Sequence, residues 1–479
     1  METKKPSVIK TTISAIFVIV AFVVVFVVGL FMQPPRGDEA SAFQEVLREL
    51  NSNHYQNPSY ETLYEGAIQG AIRSLEDPYT RYFDAEAYAR YREGFSESFV
   101  GVGITVENYY ENVQVVTVWP DSPAEKAGLA AGDIITHVDG EDYRNRSYDE
   151  TTAALVGEID TEVEIGFQRI EGGDIIYVTM VRTRVSRPSV EGDTFMFEDT
   201  QYGYIRIHVF GDATTGGVQS LLLELEDEGI DGLIIDLRDN GGGNLSTLVG
   251  LLDIFLSNEA SSKPFFTLEY YQDGHIQTDV YAGNTPDTKT YPITVLINER
   301  SASASEVFAA AMHEIGGHDL VGMPTFGKGT LQRALPMQSI AGNRLNVSIG
   351  QWFTPSGENV AKTGVIPTVS SKQNPLMQIM PLTVSAESAY RLDEVDETIA
   401  RAQAILHALE YDVRTDGYFD GDTQAAIEAF QDMHDLNESG ELDAFTAQAL
   451  SESLRALQAD FANDWQFQQA AQMLRSDDE

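Results

Sequence analysis

From about residue 187 to 385, short apolar strands alternate with helical stretches: YGYIRIHV gives way to GGVQSLLLELEDEG, and PITVLINE to ASEVFAAAMHEIG. That alternation restricts the segment to a largely layered α/β domain, because each helix must lay its apolar stripe on a sheet face. Twice a buried strand runs through a polar turn straight into a helix start, as LIIDLRDNGGGNL at 233–245 and VLINERSASASE at 295–306. In the first turn Gly241, Gly242 and Gly243 let backbone N–H groups approach a ligand closely, beside a helix N-terminus that favours negative charge. In the second, three serines alternate with alanines, and the N–H after a serine can face the same space. Together the two turns would form an oxyanion hole, whose donors can each be worth about 3 kcal/mol in a transition state. Each also has a plainer reading, a strand-to-helix connection for the first and an ordinary Ser-capped helix start for the second. Spacing does not choose among Ser301, Ser303 and Ser305.

A serine nucleophile needs a base. His313 and His318 lie on the downstream helix or at its end, where neither need reach the helix's first turn. HEIGGH also fails as a zinc motif, because a five-residue spacing puts the two histidines on different helix faces. TFGKGTLQ at 325–332 offers Lys328 between two glycines, in a turn after the apolar strand DLVGM. Lysine acts as a base only when neutral, so its pKa must fall from about 10.4 toward 7 or 8 through burial. The competing reading is a solvated turn lysine. DGYFDGDTQAAIE at 416–428 is acidic enough for a calcium loop, but Tyr418 and Ile427 fall where ligands are required.

The flanking regions differ in period. Residues 38–95 read as helices, with apolar residues at three-and-four spacing in SAFQEVLRELNSNHY and YETLYEGAIQGAIRSL. Residues 96–186 turn strand-like in FVGVGITVE, VQVVTVW, DIITHVDG and EVEIGFQRI, interrupted by SPAEKAG, a short helix that Gly128 ends. From about 390 the chain is helical again and repeats itself. TDGYFDGDTQAAI and ESGELDAFTAQAL align at an offset of 23, matching Gly417 with Gly440 and Thr423 with Thr446. Two copies make a small binding or packing module rather than a solenoid. An acidic tail is expected over 458–479.

A length of 479 residues predicts about three domains. Acidic residues outnumber basic ones 74 to 31, for a net charge of -43, which argues against nucleic acid. It also suggests a habitat of high salt or unusual pH, where dense carboxylate maintains solubility. With no cysteine, disulfides, thiolate metal sites and a Cys nucleophile are excluded. Ile13 to Met32 is a charge-free apolar run long enough to cross a bilayer. Lys4, Lys5 and Lys10 precede it while Asp38 and Glu39 follow, so an uncleaved single-pass anchor with the bulk of the chain extracytoplasmic is expected. A cleavable signal peptide is the alternative.

Taken in order, LEDPYTRYF, FVGVGITVE, SPAEKAGLAAGDIITHVDG, LIIDLRDNGGGNL, SASASEVFAAAMHE and PTFGKGTLQ resemble the carboxyl-terminal processing proteases, S41 serine peptidases with a Ser–Lys dyad, over about residues 40–385. The resemblance implies Ser303 as nucleophile, Lys328 as base and Gln332 as the residue that orients the lysine. It implies the N–H groups of Ala304 and Gly242 as oxyanion donors. Segment 96–186 is similar to the family's PDZ domain, whose carboxylate-binding loop falls on Val100, Gly101, Val102, Gly103 and Ile104. Many relatives carry an arginine where this chain has Val156. Residues 390–457 resemble a peptidoglycan-binding module, although Leu409-Glu410-Tyr411 and DGYFD depart from its usual motifs. The implied architecture is α/β and multidomain: anchor 1–37, helical dimerisation segment 38–95, PDZ domain 96–186, protease core 187–385 of the ClpP/crotonase-like type, and an all-α C-terminal module. The implied partners are protein or peptide substrates with free C-termini, peptidoglycan, the membrane and a second copy of the chain. No metal or organic cofactor is implied. A catalytically silent PDZ and wall-binding scaffold is the rival.

Overall fold

The computed structural model describes residues 38–476, apart from short stretches at 95–96, 110–111, 145, 170–172, 257–262, 273, 284–288, 339, 341, 383 and 386–387. The apolar run at 13–32 lies outside them. Among the described residues no helix is long and apolar enough to cross a membrane. The chain divides into two units, one ending at Tyr82 and the other beginning at Phe83. In the first, α1 (Asp38–Asn53) is followed by α2 (Tyr60–Arg73), which Ser59 opens by accepting the Thr62 N–H on its Oγ. Leu47 of α1 is buried, whereas Phe43, Val46 and Leu50 remain exposed.

The second unit opens with α3 (Ala85–Glu93), capped by Asp84. Strands β1 (Ser98–Gly101), β2 (Ile104–Tyr109) and β3 (Asn112–Val118) lead to the short helix α4 (Pro123–Lys126). Next come β4 (Ile134–Val138), α5 (Tyr148–Leu155), β5 (Glu162–Gln168), β6 (Ile176–Val181) and β7 (Thr183–Ser186). Strands β2-β3-β4-β5-β6 form an antiparallel sheet around Val115, Ile135, Val163, Ile165 and Phe167. Separately, β1 and β7 pair antiparallel, a two-stranded stalk through which this domain enters and leaves the chain. Pro123 and Gly128 bound α4 as their chemistry requires, with Gly128 at φ +83°.

The central domain contains β8 (Val190–Phe197), β9 (Thr200–Ile207), α6 (Thr214–Asp227), β10 (Leu233–Asp236), α7 (Leu245–Phe255), β11 (Phe266–Gln272) and β12 (His275–Tyr281). It continues with β13 (Ile293–Ile297), α8 (Ala304–Glu314), β14 (Asp319–Gly322), β15 (Thr330–Pro336), β16 (Arg344–Phe353) and β17 (Val369–Ser370). Six strands form one sheet in the order β8-β9-β10-β13-β14-β17, parallel except at β8. Its central strands β10 and β13 are buried on both faces, which explains their nearly unbroken apolar runs. Leu233, Ile235, Val295 and Ile297 pack toward α6, α7 and α8, while Ile234 and Leu296 point to the other side. Strand–helix alternation gave no sign of a second, antiparallel layer containing β15, β16, β11 and β12 in that order.

Helices α9 (Glu397–Ala408), α10 (Gly421–Met433) and α11 (Ala444–Ala459) make the C-terminal module, and its internal repeat extends to buried polar pairs. Gln403 accepts the Gly417 N–H and donates to Thr423 Oγ1, and Gln431 does the same with Gly440 and Thr446. One expectation needs correction: the described part of 458–479, which ends at Ser476, is not an acidic tail. Trp465–Ser476 is a helix, α12, whose Phe467, Ala470, Ala471 and Leu474 are fully buried against Tyr202, Tyr204, Ile234, Leu296 and Val321. The chain leaves the sheet at β17, builds the module, and returns to cover the sheet's second face.

Candidate active site

The apolar strand β13 delivers the SASASE turn to the edge of a cleft, and the three serines part company there. Ser301 is buried, donating from Oγ to Leu237 O at 2.8 Å and accepting the Asn298 N–H at 3.0 Å. Ser305 is equally buried and donates to Asn240 O at 2.8 Å. Ser303 alone of the three lines the cleft, at the N-cap of α8, with φ +58° and ψ −115°. A non-glycine residue in that region stores roughly 1–3 kcal/mol of strain, so its surroundings must hold it.

They do so through Glu306, whose side chain is fully buried. One carboxylate oxygen accepts the N–H of Ser303 at 2.8 Å and of Lys328 at 2.9 Å. The other accepts the Gly327 N–H at 2.7 Å and the Thr325 hydroxyl at 2.6 Å. A single carboxylate thus ties the serine turn to the lysine turn. The glycines beside Lys328 are needed for packing: a Cβ on Gly327 would lie 2.9 Å from Lys362 N, and one on Gly329 would lie 2.5 Å from Asn359 Oδ1. The Lys328 carbonyl accepts Trp352 Nε1–H at 2.7 Å. Gln332 follows on β15 at a break in register with β16, its Nε2 donating to Thr330 Oγ1 and Ser348 Oγ.

The triple-glycine turn sits against Ser303. A Cβ on Gly242 would fall 2.9 Å from Ser303 Cβ, Ala304 N and Ala302 O, so only glycine fits. Asn240, fully buried, joins the two turns: its carbonyl accepts from Ala302 N–H and Ser305 Oγ, while its Nδ2 donates to Ile207 O. Its Oδ1 accepts the Gly242 N–H at 2.9 Å. That bond departs from the expected pairing of Gly242 and Ala304 as oxyanion donors, since a buried amide oxygen needs a donor and Gly242 supplies it. The Ala304 N–H, first in its helix, has no carbonyl one turn earlier to bond.

A cavity of about 430 Å³ unites Ser303, Lys328, Gln332, Gly241 and Gly243 with Tyr88, Tyr91 and Arg92 of α3. His313 and His318 are not among its lining, and His313 Nδ1 faces the His318 carbonyl. Behind the glycine turn, Asp236 is completely buried. Burial alone would raise its pKa, but the bidentate Arg238 guanidinium holds the carboxyl below its usual range. Arg238 also donates to Asp464 and Gln466 at the start of α12.

Val100, Gly101, Val102, Gly103 and Ile104 line a separate groove of about 250 Å³, together with Trp119, Tyr148, Leu155 and the exposed Val156. Gly103 has φ +89°, and a Cβ there would collide with Ser122 at 2.1 Å. Glu306, Asn240 and the Asp236–Arg238 pair escaped the reading of the sequence. Glu306 was visible only as a helix-start residue, because its other partners lie about twenty positions away.

Comparisons with known proteins bear on both sites. Residues 201–371 match peptidase family S41, 114–169 a PDZ domain, 395–450 a putative peptidoglycan binding domain, and 33–87 the N-terminal domain of the activating protease CtpB. The chain is 32% identical to the carboxy-terminal processing protease CtpB of Bacillus subtilis (strain 168), across 91% of its own length and 89% of the relative's. To CtpA of the same organism it is 30% identical, covering 90% of each. A solved photosystem II D1 C-terminal processing protease matches at 27% identity and a TM-score of 0.42, over 69% of this chain and 92% of that one.

Proposed function

The chain belongs to the carboxy-terminal processing proteases of peptidase family S41, serine hydrolases acting on peptide bonds, and from that membership we propose that Ser303 is its nucleophile, Lys328 its general base and Gln332 the residue that orients the lysine. Ser303 Oγ attacks the scissile carbonyl carbon while the neutral Lys328 amine takes the hydroxyl proton. Lys328 then returns that proton to the leaving amine, and a water molecule hydrolyses the acyl-enzyme by the same route. The Ala304 N–H stabilises the tetrahedral oxyanion, and Gly242 contributes once its N–H turns from Asn240 to the substrate. What supports this reading is that the serine, the lysine, the glutamine and the glycine turn line one cavity.

In this reading the groove at Val100–Ile104 accepts an extended substrate tail as an added strand, its terminal carboxylate on backbone N–H groups. The run at 13–32 anchors the chain in a membrane with the catalytic unit outside the cytoplasm, the exposed face of α1 pairs two copies, and the C-terminal module holds peptidoglycan. A test compares cleavage of an unfolded substrate bearing a free apolar C-terminus with that of its C-terminally amidated form. Slower cleavage of the amide is expected, and equal rates would show that the carboxylate is not read.

A further inference from the structure

The stalk that carries the PDZ domain meets the catalytic domain at Glu97. The Glu97 carbonyl accepts the Arg187 N–H at 2.7 Å, which extends the β1–β7 pairing one residue toward the catalytic domain. Its side chain reaches the other way. Both carboxylate oxygens accept the Ala213 N–H, at 2.8 and 2.9 Å, and Thr214 Oγ1 lies at 3.2 Å. Helix α6 begins here without a cap of its own, since its N-cap residue is Ala213, which has no side-chain acceptor. Glu97 therefore provides from 116 positions away the negative charge that a helix N-terminus favours. The fit is close, because a Cβ on Gly211 would lie 2.5 Å from Glu97 Oε1.

The segment gripped by Glu97 is the one on which the triple-glycine turn rests. The Phe210 N–H donates to Gly242 O at 3.0 Å and the Asn244 N–H donates to Phe210 O at 2.7 Å. A Cβ on Gly243 would be 2.4 Å from that same Phe210 oxygen. A Cβ on Gly242 would in turn lie 2.9 Å from Ser303 Cβ and Ala304 N, so the turn is closely packed against the serine. Glu97, Asp212, Gly243 and Ser303 all line the one cavity, so the path from stalk to nucleophile is short.

We propose that Glu97 is a positioning residue that clamps the foot of the PDZ stalk to the start of α6 and so holds the triple-glycine turn in place against Ser303. The clamp makes the stalk's position a determinant of the transition-state contacts, separately from how well the groove holds a tail. It rests on the assignment of Ser303 and Lys328 above.

Full-length Glu97→Ala and Glu97→Gln are compared with wild type on a short internal peptide amidated at its C-terminus, and on the same peptide with a free apolar tail. Tail affinity is read separately by fluorescence anisotropy, each Glu97 variant being combined with Ser303→Ala. In Glu97→Ala, kcat should fall about ten-fold on both peptides while KM and tail affinity stay within about two-fold. Glu97→Gln keeps one oxygen acceptor and should recover most of kcat. Unchanged kcat in Glu97→Ala overturns the clamp. So does a fall in kcat matched by equal loss of tail affinity, or loss of helical circular dichroism in both variants, which would make Glu97 a folding residue only. Cleavage by Ser303→Ala at the wild-type rate would instead overturn the nucleophile assignment, which the Glu97 comparison does not test.

Discussion

Ser301, Ser303 and Ser305 are chemically identical and differ only in what surrounds them. The outer two donate to main-chain carbonyls of the glycine-turn strand, at Leu237 and Asn240. Ser301→Ala leaves the Asn298 N–H without its acceptor and should cost about 1–3 kcal/mol in urea unfolding, whereas Ser305→Ala removes one bond from an Asn240 carbonyl that keeps the Ala302 N–H and should cost about 0.5–1.5 kcal/mol, with much of kcat surviving in both. Loss of activity without loss of stability would show that one of them acts on substrate. Glu306 is a stronger case, since its two oxygens serve four donors. Glu306→Gln sets an NH2 group against donors and should cost roughly 2–3 kcal/mol, with kcat falling well below that of the outer-serine variants. Urea midpoints and single-turnover rates measured together would check it, and a Glu306→Gln variant that stayed stable and fully active would refute it.

At the scale of elements, the loop between α8 and β14 carries a titrating group. Burial pushes the His318 imidazole down to about 4, helped by His313 and opposed by Asp319. A histidine whose folded pKa lies below its ordinary 6.5 contributes stability that is present above that value and is lost as pH falls toward 4. The loss should be on the order of 2 kcal/mol and should disappear in His318→Asn, as read from urea midpoints between pH 7 and 4; an unchanged acid dependence would contradict it. Leu474→Ala, on the buried stripe of α12, should cost about 2–5 kcal/mol, whereas changes in a solvated tail would cost nothing. The stripe was readable in principle: Phe467, Ala470, Ala471 and Leu474 follow helical spacing. Two of its four members are alanines set among glutamines, so the apolar signal is thin. By contrast, the strands around Ile234 and Val295 announced themselves because both faces are covered. The turns at Gly242, Ser303 and Lys328 were marked by local residue chemistry, while the bonds joining them cross tens of residues. The Arg238–Asp464 contact, spanning 226 positions, leaves no local trace.

Across the second unit, two grooves are held by different domains. One groove is lined by the Gly103 turn and Trp119, another by Ser303 and Lys328, and the β1–β7 stalk runs between the domains that hold them. The C-terminal module is an insertion between β17 and α12 rather than an appendage, since α12 completes the catalytic sheet. Truncation before α12 should therefore abolish soluble, active protease, as judged by gel filtration and turnover, and an active truncated form would contradict that placement. In the function we propose, Ser303 and Lys328 cut what the PDZ groove selects. Its most direct test is turnover of one free-tailed substrate by wild type, Ser303→Ala and Lys328→Ala, with tail affinity measured for all three. Both variants should lose at least about a thousand-fold in kcat with tail affinity unchanged; equal turnover by all three would contradict the account.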